Sequence, residues 1–257
     1  MKGLRRAVLA SVAALMSTSL YGQSLEGTID WNRRVAVGFG LSGQVAAVDV
    51  RPGDTILSGE RMATLDTVPL KIALDKAANI AEIHQAQLEE QMAVLDRERT
   101  LYDEGALSGV QLEQVEIELS RRDYALKDAE LAVQQARYQL DLAQLRAPFD
   151  AWIVESELTL GQFVNHESED PPMITLAEKG RYLARTLIDA ESLQAYESGT
   201  PVVIAIGDQR FVGLASRVGL EPVSASGETL RYALAVEFSS DALIRPGTAC
   251  TIALAEQ

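Results

Sequence analysis

Few residues in this sequence are of the kinds that make and break bonds, and those few are scattered. The 257 residues hold two histidines, His84 and His166, and one cysteine, Cys250. A zinc site needs three or four His, Cys or carboxylate ligands brought together, and a lone thiol far from both imidazoles makes neither that site nor an intrachain disulfide. Met1, Met16, Met62, Met92 and Met173 are dispersed and form no thioether cluster for copper or silver. Asp54 and Glu60 fall in turns, where carboxylates are solvated rather than poised as acid or base. There is no nucleophile motif, no His-based acid–base pair and no phosphate-cradling glycine loop. The expectation is a non-enzymatic chain with no cofactor and no metal, whose work is done by surfaces that bind other macromolecules. Charge narrows the partners: 23 Lys and Arg against 37 Asp and Glu give −14, which lacks the basic footprint that nucleic-acid binding requires.

The surface most open to such binding belongs to a long helical segment. Between Leu70 and Leu145 there is no proline, and only Gly105 and Gly109 interrupt a stretch rich in Ala, Leu, Glu, Gln and Arg, residues that lose little on entering a helix. Leu112, Val115, Leu119, Arg122, Leu126, Ala129, Val133, Ala136, Leu140 and Ala143 alternate spacings of three and four, a heptad seam with one polar member. Leu74, Ala77, Ala81, His84, Leu88, Gln91 and Leu95 follow the same rule on the other side of the glycines. Two seams of matching length predict an antiparallel coiled-coil hairpin with arms of roughly 50 Å, more than a compact domain needs, so it protrudes. Gly105 suits the left-handed residue that ends a helix, and Ser108 with Gln111 reads as an N-cap and its capping-box partner. The tip then spans about Asp103 to Gly109, and most charges on the arms read as solvated i,i+4 pairs.

The flanks of the hairpin read as β structure and repeat one another. Gly43 to Val50 alternates as a strand, Arg51-Pro-Gly-Asp54 is a turn, and Thr55–Leu57 and Met62–Leu65 are strands around Ser58-Gly59. After the hairpin, with Pro148 as the helix terminator, Trp152–Val154, Leu158, Leu160-Gly161 and Phe163-Val164 repeat the pattern. An offset of 108 residues aligns Val45 with Ile153, Val50 with Leu158, Gly53 with Gly161 and Ile56 with Val164. The halves are expected to close into one small β sandwich with the hairpin leaving one end, which would bring Asp66 beside Arg146. From Gly180 on, strands at Tyr182–Leu187, Val202–Ile206, Arg210–Ser216, Leu230–Phe238 and Thr248–Leu254, with a short helix at Glu191–Tyr196 and a Gly207-Asp208 turn, predict a small barrel. Cys250 reads there as a small buried hydrophobe.

The N-terminus has the n, h and c regions of a secretory signal peptide: Lys2, Arg5 and Arg6, then the apolar run Ala7–Met16, then the small polar stretch Ser17–Ser24. The apolar part is short for a span of the roughly 30 Å hydrocarbon core. An exported chain is the expectation, with an uncleaved anchor as the lesser alternative.

Taken together, G-x-V-x-x-V-x-V-x-x-G-D over Gly43–Asp54, the heptad hairpin, A-P-F-D over Ala147–Asp150 and R-P-G over Arg245–Gly247 resemble the periplasmic adaptor subunits (membrane fusion proteins, hemolysin-D-like) of tripartite efflux pumps. The resemblance runs from Val35 to Leu254. It implies an α+β fold, elongated and modular: a split lipoyl-like barrel-sandwich hybrid with an inserted antiparallel coiled-coil α-hairpin, followed by a small β-barrel. The implied division is 1–24 signal peptide, 25–69 N-terminal strands and first half-sandwich, 70–145 hairpin, 146–178 second half-sandwich and 179–257 barrel. The implied partners are an inner-membrane transporter, most directly a proton-driven one of the resistance-nodulation-division type, an outer-membrane channel, and further copies of the chain in a ring. An ATP-binding-cassette exporter is the alternative transporter, and a lipoyl or biotinyl carrier module is a distant one. The family docks its hairpin tip on the channel through an Arg, a Leu four residues on and a Ser seven further, which fall here on Arg97, Leu101 and Ser108, with Gly105 shaping the turn. From the residues alone, Arg97 could instead pair with a carboxylate, Leu101 could close the seam and Ser108 could only cap. Ala151 stands where relatives carry Gly. The sequence ends just after the barrel, so a further membrane-proximal β domain is expected to be missing or reduced, leaving Thr28–Val37 to supply part of the transporter contact.

Overall fold

The computed structural model describes residues 24–226 and 229–255. The signal segment lies, apart from Ser24, outside the described residues. In chain order come β1 (Leu25–Trp31), β2 (Arg34–Val37), β3 (Gly43–Val48), β4 (Thr55–Ile56), β5 (Arg61–Leu65), α1 (Val68–Asp103) and α2 (Gly109–Leu142). Then follow β6 (Gln144–Arg146), β7 (Ala151–Ser156), β8 (Phe163–Val164), β9 (Ile174–Glu178), β10 (Arg181–Asp189), a 3-10 turn at Ser192–Tyr196, β11 (Pro201–Ile206), β12 (Gln209–Ser226), β13 (Thr229–Ser239) and β14 (Ala249–Leu254). Residues 31–179 form one unit, and the described residues before and after them form a second.

In the first unit two four-stranded sheets, β2-β9-β7-β4 and β6-β5-β3-β8, enclose a core in which Val45, Met62, Leu65, Ile153, Ile174 and Leu176 are almost wholly buried. The 108-residue repeat has a structural meaning here. β4 pairs with β7 and β3 with β8, so each half completes the sheet of the other. The Gly53 N–H donates to the Ile153 carbonyl at 2.8 Å, and the Gly161 N–H to the Val45 carbonyl at 2.9 Å. Asp54 and Gln162, also 108 apart, accept through their carbonyls from Ile153 and Val45 at 2.9 and 2.8 Å, and their side chains accept from the Arg51 and Thr159 N–H groups in turn. Gly53 and Gly161 have φ of +95° and +83°, which a β-carbon disfavours. Ala151 is fully buried opposite Ile56, so its methyl is accommodated within the core.

Two expectations are corrected. The helix does not run on to Leu145 under the control of Pro148. It stops at Leu142, because Ala143 is fully buried, its carbonyl accepts from the Leu65 N–H at 2.9 Å, and Leu145 enters the core as part of β6. Sheet pairing overrides local helix preference. Asp66 and Arg146 do not meet: the antiparallel register sets Thr64 opposite Gln144 and Arg61 opposite Arg146, which carries Asp66 toward the helix base. There its carboxylate accepts from the Val68 N–H at 3.0 Å, while Arg146 donates to the Gly59 carbonyl and to Gln144. Thr28–Val37 is divided between the two units. Leu25–Trp31 is a barrel strand and Arg34–Val37 pairs with β9.

The second unit is a closed six-stranded barrel, β1-β10-β13-β12-β11-β14. Ile29, Leu183, Ile188, Ile204, Leu234 and Ile252 are buried in it. Gly27 allows β1 to approach β10, where a β-carbon would lie 2.5 Å from the Arg185 carbonyl oxygen. Tyr182 ties in the Ala242–Ile244 segment, its hydroxyl donating to the Ala242 carbonyl at 3.1 Å and accepting from the Ile244 N–H at 3.2 Å. Cys250 is buried on β14, and that burial pushes its thiol up to about 11 from 9.0.

Two measurements check this packing. A β-carbon at Gly53 or Gly161 would meet nothing within 4 Å, so Gly53→Ala and Gly161→Ala should each cost about 1–2 kcal/mol through the dihedral alone. The two urea midpoints should fall together, and a near-neutral effect of either would contradict the reciprocal turns. Cys250 in the native protein at pH 7.5 should react with a maleimide at least ~100-fold more slowly than in the unfolded chain, because about two units of raised pKa deplete the thiolate by that factor. The same shift should lower stability as pH rises from about 9 toward 11, where only the unfolded chain ionises.

Candidate functional site

The hairpin starts from a defended base. Pro69 lies in the first turn of α1, where its missing N–H costs nothing, and the Asp66 carboxylate caps in place of Thr67, whose side chain makes no cap bond. The arms have 36 and 34 residues, or roughly 50 Å each at about 1.5 Å per residue. They pack chiefly on one another. Leu95 and Leu126 are buried along the seam, with Ala129 and Ala136, and Leu74, Leu88, Leu112, Val115, Leu119, Val133 and Leu140 are half-buried. The polar seam positions fix the register. Gln91 donates to the Val115 carbonyl at 3.5 Å, and Arg122 bonds Gln87 across the seam at 3.2 Å and Glu118 within its helix at 2.9 Å. His84, about one turn nearer the base than Gln87, has a buried Nδ1 with no partner among the described residues.

At the far end two capping motifs meet. Gly105 has φ +77°; its N–H reaches the Tyr102 carbonyl at 3.0 Å, and the Ala106 N–H reaches that of Leu101 at 2.8 Å, the paired bonds of a Schellman motif. Ser108 then caps α2: its Oγ accepts from the Gln111 N–H at 3.4 Å, while Gln111 Oε1 accepts from the Ser108 N–H at 3.1 Å. A five-residue turn is thereby held at both sides without burying anything.

The surface of this rigid end is mixed. Arg97 is exposed and makes no hydrogen bond or ion pair with a described residue. The cross-arm ion pair is made by Arg99, with Glu116 at 3.0 Å. Leu101 follows Arg97 by one turn, one position before the seam column, and is 40% exposed. Asp96, Asp103, Glu104 and Glu113 are exposed around them, making Arg97 an isolated cation in acidic surroundings. Sequence reasoning missed Tyr102 and Val110, 45% and 66% exposed. The signal for Tyr102 was present, since it continues the column Leu74, Ala81, Leu88, Leu95 by one more heptad. Its ring lies against Gly109, past the last residue that α2 can shelter. Among the described residues no group of His, Cys, Asp and Glu could hold a metal ion. The tip presents exposed apolar side chains beside an arginine that pairs with no described carboxylate.

A split sandwich closed by reciprocal turns, interrupted by a coiled-coil hairpin, defines the class of chain. Residues 33–170 match the CzcB-like, barrel-sandwich hybrid domain, more than half of the chain, and the chain belongs to that family. It is 24% identical over 186 residues to the multidrug resistance protein MdtA of Cronobacter turicensis, which covers 71% of this chain and 45% of MdtA. It is 20% identical over 207 residues to the uncharacterized protein YdhJ of Escherichia coli, covering 77% of this chain and 70% of YdhJ. The chain thus spans about half the length of the MdtA proteins it matches. In fold it is similar to the membrane fusion protein Spr0693 of Streptococcus pneumoniae, with a TM-score of 0.71 at 14% identity over 91% of this chain and 99% of the other. It is equally similar to MacA of Actinobacillus actinomycetemcomitans, with a TM-score of 0.71 at 20% identity over 91% and 78% of the two chains. Among the described residues no helix is long and apolar enough to cross a membrane.

Ser108→Ala removes one side of the cap and should cost about 1 kcal/mol at the start of α2. Amide exchange at Gln111 should accelerate roughly five-fold while the exchange of core strands is unchanged; an unaltered Gln111 rate would mean that the cap carries no load.

Proposed function

We propose that this chain is a non-enzymatic periplasmic adaptor of a tripartite efflux system, joining an inner-membrane transporter to an outer-membrane channel. The observation that carries the reading is the hairpin: some 50 Å of coiled coil delivering a doubly capped end with an unpaired arginine and an exposed leucine. The names of the relatives, a multidrug resistance protein and membrane fusion proteins, support the same reading. Arg97 supplies the charged anchor, Leu101 the apolar contact, and Gly105 and Ser108 hold the end in shape, with capping and docking served by one serine. Residues 1–24 send the chain to the periplasm, and partner proteins hold it at the inner membrane. A two-helix end covers far less than the roughly 1,000 Å² of a stable interface, so single copies dock weakly and a ring of copies supplies avidity.

The transporter assigned first is proton-driven, of the resistance-nodulation-division type, because the hairpin is short and the leader is that of a freely exported chain. An ATP-binding-cassette exporter is the runner-up. A protonophore should stop efflux at constant ATP in the first case and spare it in the second. A carrier role has less support, since the connection from β5 to β6 holds the two helices where a swinging lysine would stand, and intact mass should show no lipoyl or biotinyl adduct.

Docking is tested by ethidium accumulation in cells depending on this chain and by in-cell crosslinking from Leu101→Cys. Arg97→Glu and Leu101→Ala should each raise ethidium to the level of the deletion strain with circular dichroism unchanged, and the cysteine should capture an outer-membrane protein. Normal efflux in both variants would overturn tip docking.

A further inference from the structure

The outer face of the barrel carries a groove over β13 that the packing of the barrel does not use. Its volume is about 450 Å³, within the roughly 300–1,000 Å³ of small-molecule sites, and every residue lining it belongs to the barrel unit. Ala233 and Ala235 form the floor, while Leu234 and Val236 between and beyond them point the other way and are buried in the barrel. Leu187 of β10 lines one side and Gly219 of β12 the other. Two arginines flank this floor. The register sets both Arg185 and Arg217 directly opposite Ala235, one on each side, so their Cα atoms are two strand spacings apart, roughly 10 Å. The lining residues include no carboxylate, on a chain whose net charge is −14.

Plain strand alternation would not place Arg217 there. Ala215 points into the barrel and is buried, and the residue two further on would follow it inward. A register shift between Ala215 and Arg217 leaves Ser216 as an extra residue, its hydroxyl donating to the Ala235 carbonyl at 3.1 Å. Arg217 is thereby turned to the outer face, which is the re-aiming of a side chain that a bulge performs. A second shift, between Val218 and Pro222, sets three residues of β12 against Ala233 alone. Gly219 is the first of them, and a β-carbon there would lie 3.2 Å from the Ala233 nitrogen, so its missing side chain lets β12 stay close beside the floor. The Arg185 Nε lies 3.2 Å from Asp30 Oδ2, whereas Arg217 is exposed and makes no hydrogen bond or ion pair with a described residue.

We propose that this groove binds one molecule of an anionic amphiphile, a straight acyl chain ending in a carboxylate, with the carboxylate on Arg217 and the chain over Ala235 and Ala233. The planar guanidinium matches a carboxylate through two parallel hydrogen bonds. The floor and sides are aliphatic, and no aromatic ring among the lining residues would stack on a flat ligand. A cationic ligand would face two arginines. A peptide strand would need a free sheet edge, and β13 is paired on both sides, by β10 and β12. A bilayer surface takes up apolar groups that protrude, and these are recessed. The site is independent of docking at the hairpin tip and makes the chain a binder of small molecules as well as a connector.

The test is calorimetric titration of the purified chain with dodecanoate held below its micelle-forming concentration, which should show saturable binding of a single equivalent. Arg217→Glu should weaken that binding at least about ten-fold, and Ala235→Phe, which fills the groove without changing charge, should abolish it, with the circular dichroism of both unchanged. Arg217 is exposed, so its variant keeps the test decisive even where the bulkier one fails to fold. Dodecyltrimethylammonium, with the same chain and the opposite charge, should not bind, and phosphatidylglycerol vesicles should not co-sediment with the chain. Absence of saturable uptake, equal binding of the cationic amphiphile, undiminished binding of dodecanoate by Arg217→Glu, or co-sedimentation with vesicles in place of binding to the monomer would each overturn the proposal. Any of these results leaves the adaptor reading to the efflux and crosslinking measurements on the tip.

Discussion

The exchange of backbone hydrogen bonds between Gly53 and Ile153 on one side and Gly161 and Val45 on the other is the constraint on which residues 31–179 depend. Neither half can close alone, because β4 finds its partner in β7 and β3 in β8. The ends of everything between Leu65 and Gln144 must therefore be brought side by side. For a flexible connection of that length, closure would cost about 4 kcal/mol of chain entropy. Two arms of 36 and 34 residues that fold back on each other return their ends to one interaxial spacing, roughly 8–10 Å. The insertion is compatible with the sandwich because its arms are nearly equal, and a change in one arm without the other would misplace β6 against β5.

The hairpin in turn lacks a core of its own. A two-helix seam shelters each side chain from only part of its surroundings, so Leu95 and Leu126 are buried while most of their neighbours are half-covered. Apolar contact of that kind tolerates sliding, and the polar seam residues oppose it. Gln91 reaching the Val115 carbonyl and Arg122 reaching Gln87 are satisfied in one register only, at the usual expense in stability of placing polar groups in a seam. Asp66 at the base and the Gly105 and Ser108 motifs at the tip complete the definition. Their function in the fold is to hold length and angle, and that is also what a docking element requires.

What was legible in the sequence followed from local rules. The heptads name the buried seam residues Leu95, Leu126, Ala129 and Ala136, Gly105 and Ser108 announce their caps, and the 108-residue repeat identifies pairs that prove to be equivalent turns. What was not legible depends on distant pairing. Leu25–Trp31 gives no sign that it completes a barrel with β14, more than two hundred residues on, and it was grouped with the first half-sandwich for that reason. The end of α2 at Leu142 is decided by Leu65 and Ala63 on another strand, against a local sequence that favours helix. Asp66 and Arg146 were misplaced by treating closure as a meeting of ends, when an antiparallel register offsets them. At the tip, Arg97 and Leu101 took their docking role from resemblance, and no spacing rule shows that Arg97 is left without a carboxylate.

The outer column of α2, Val110, Ile117, Tyr124, Leu131 and Tyr138, all exposed, shows how an apolar pattern can be overlooked once a stronger one has been found. With the seam at heptad positions a and d, these large side chains occupy five consecutive f positions. They add nothing to the hairpin that carries them, and in an isolated molecule such a stripe is a liability for aggregation. The acidity of the chain offsets it, since like-charged molecules with −14 apiece repel at distances where apolar contact has no reach.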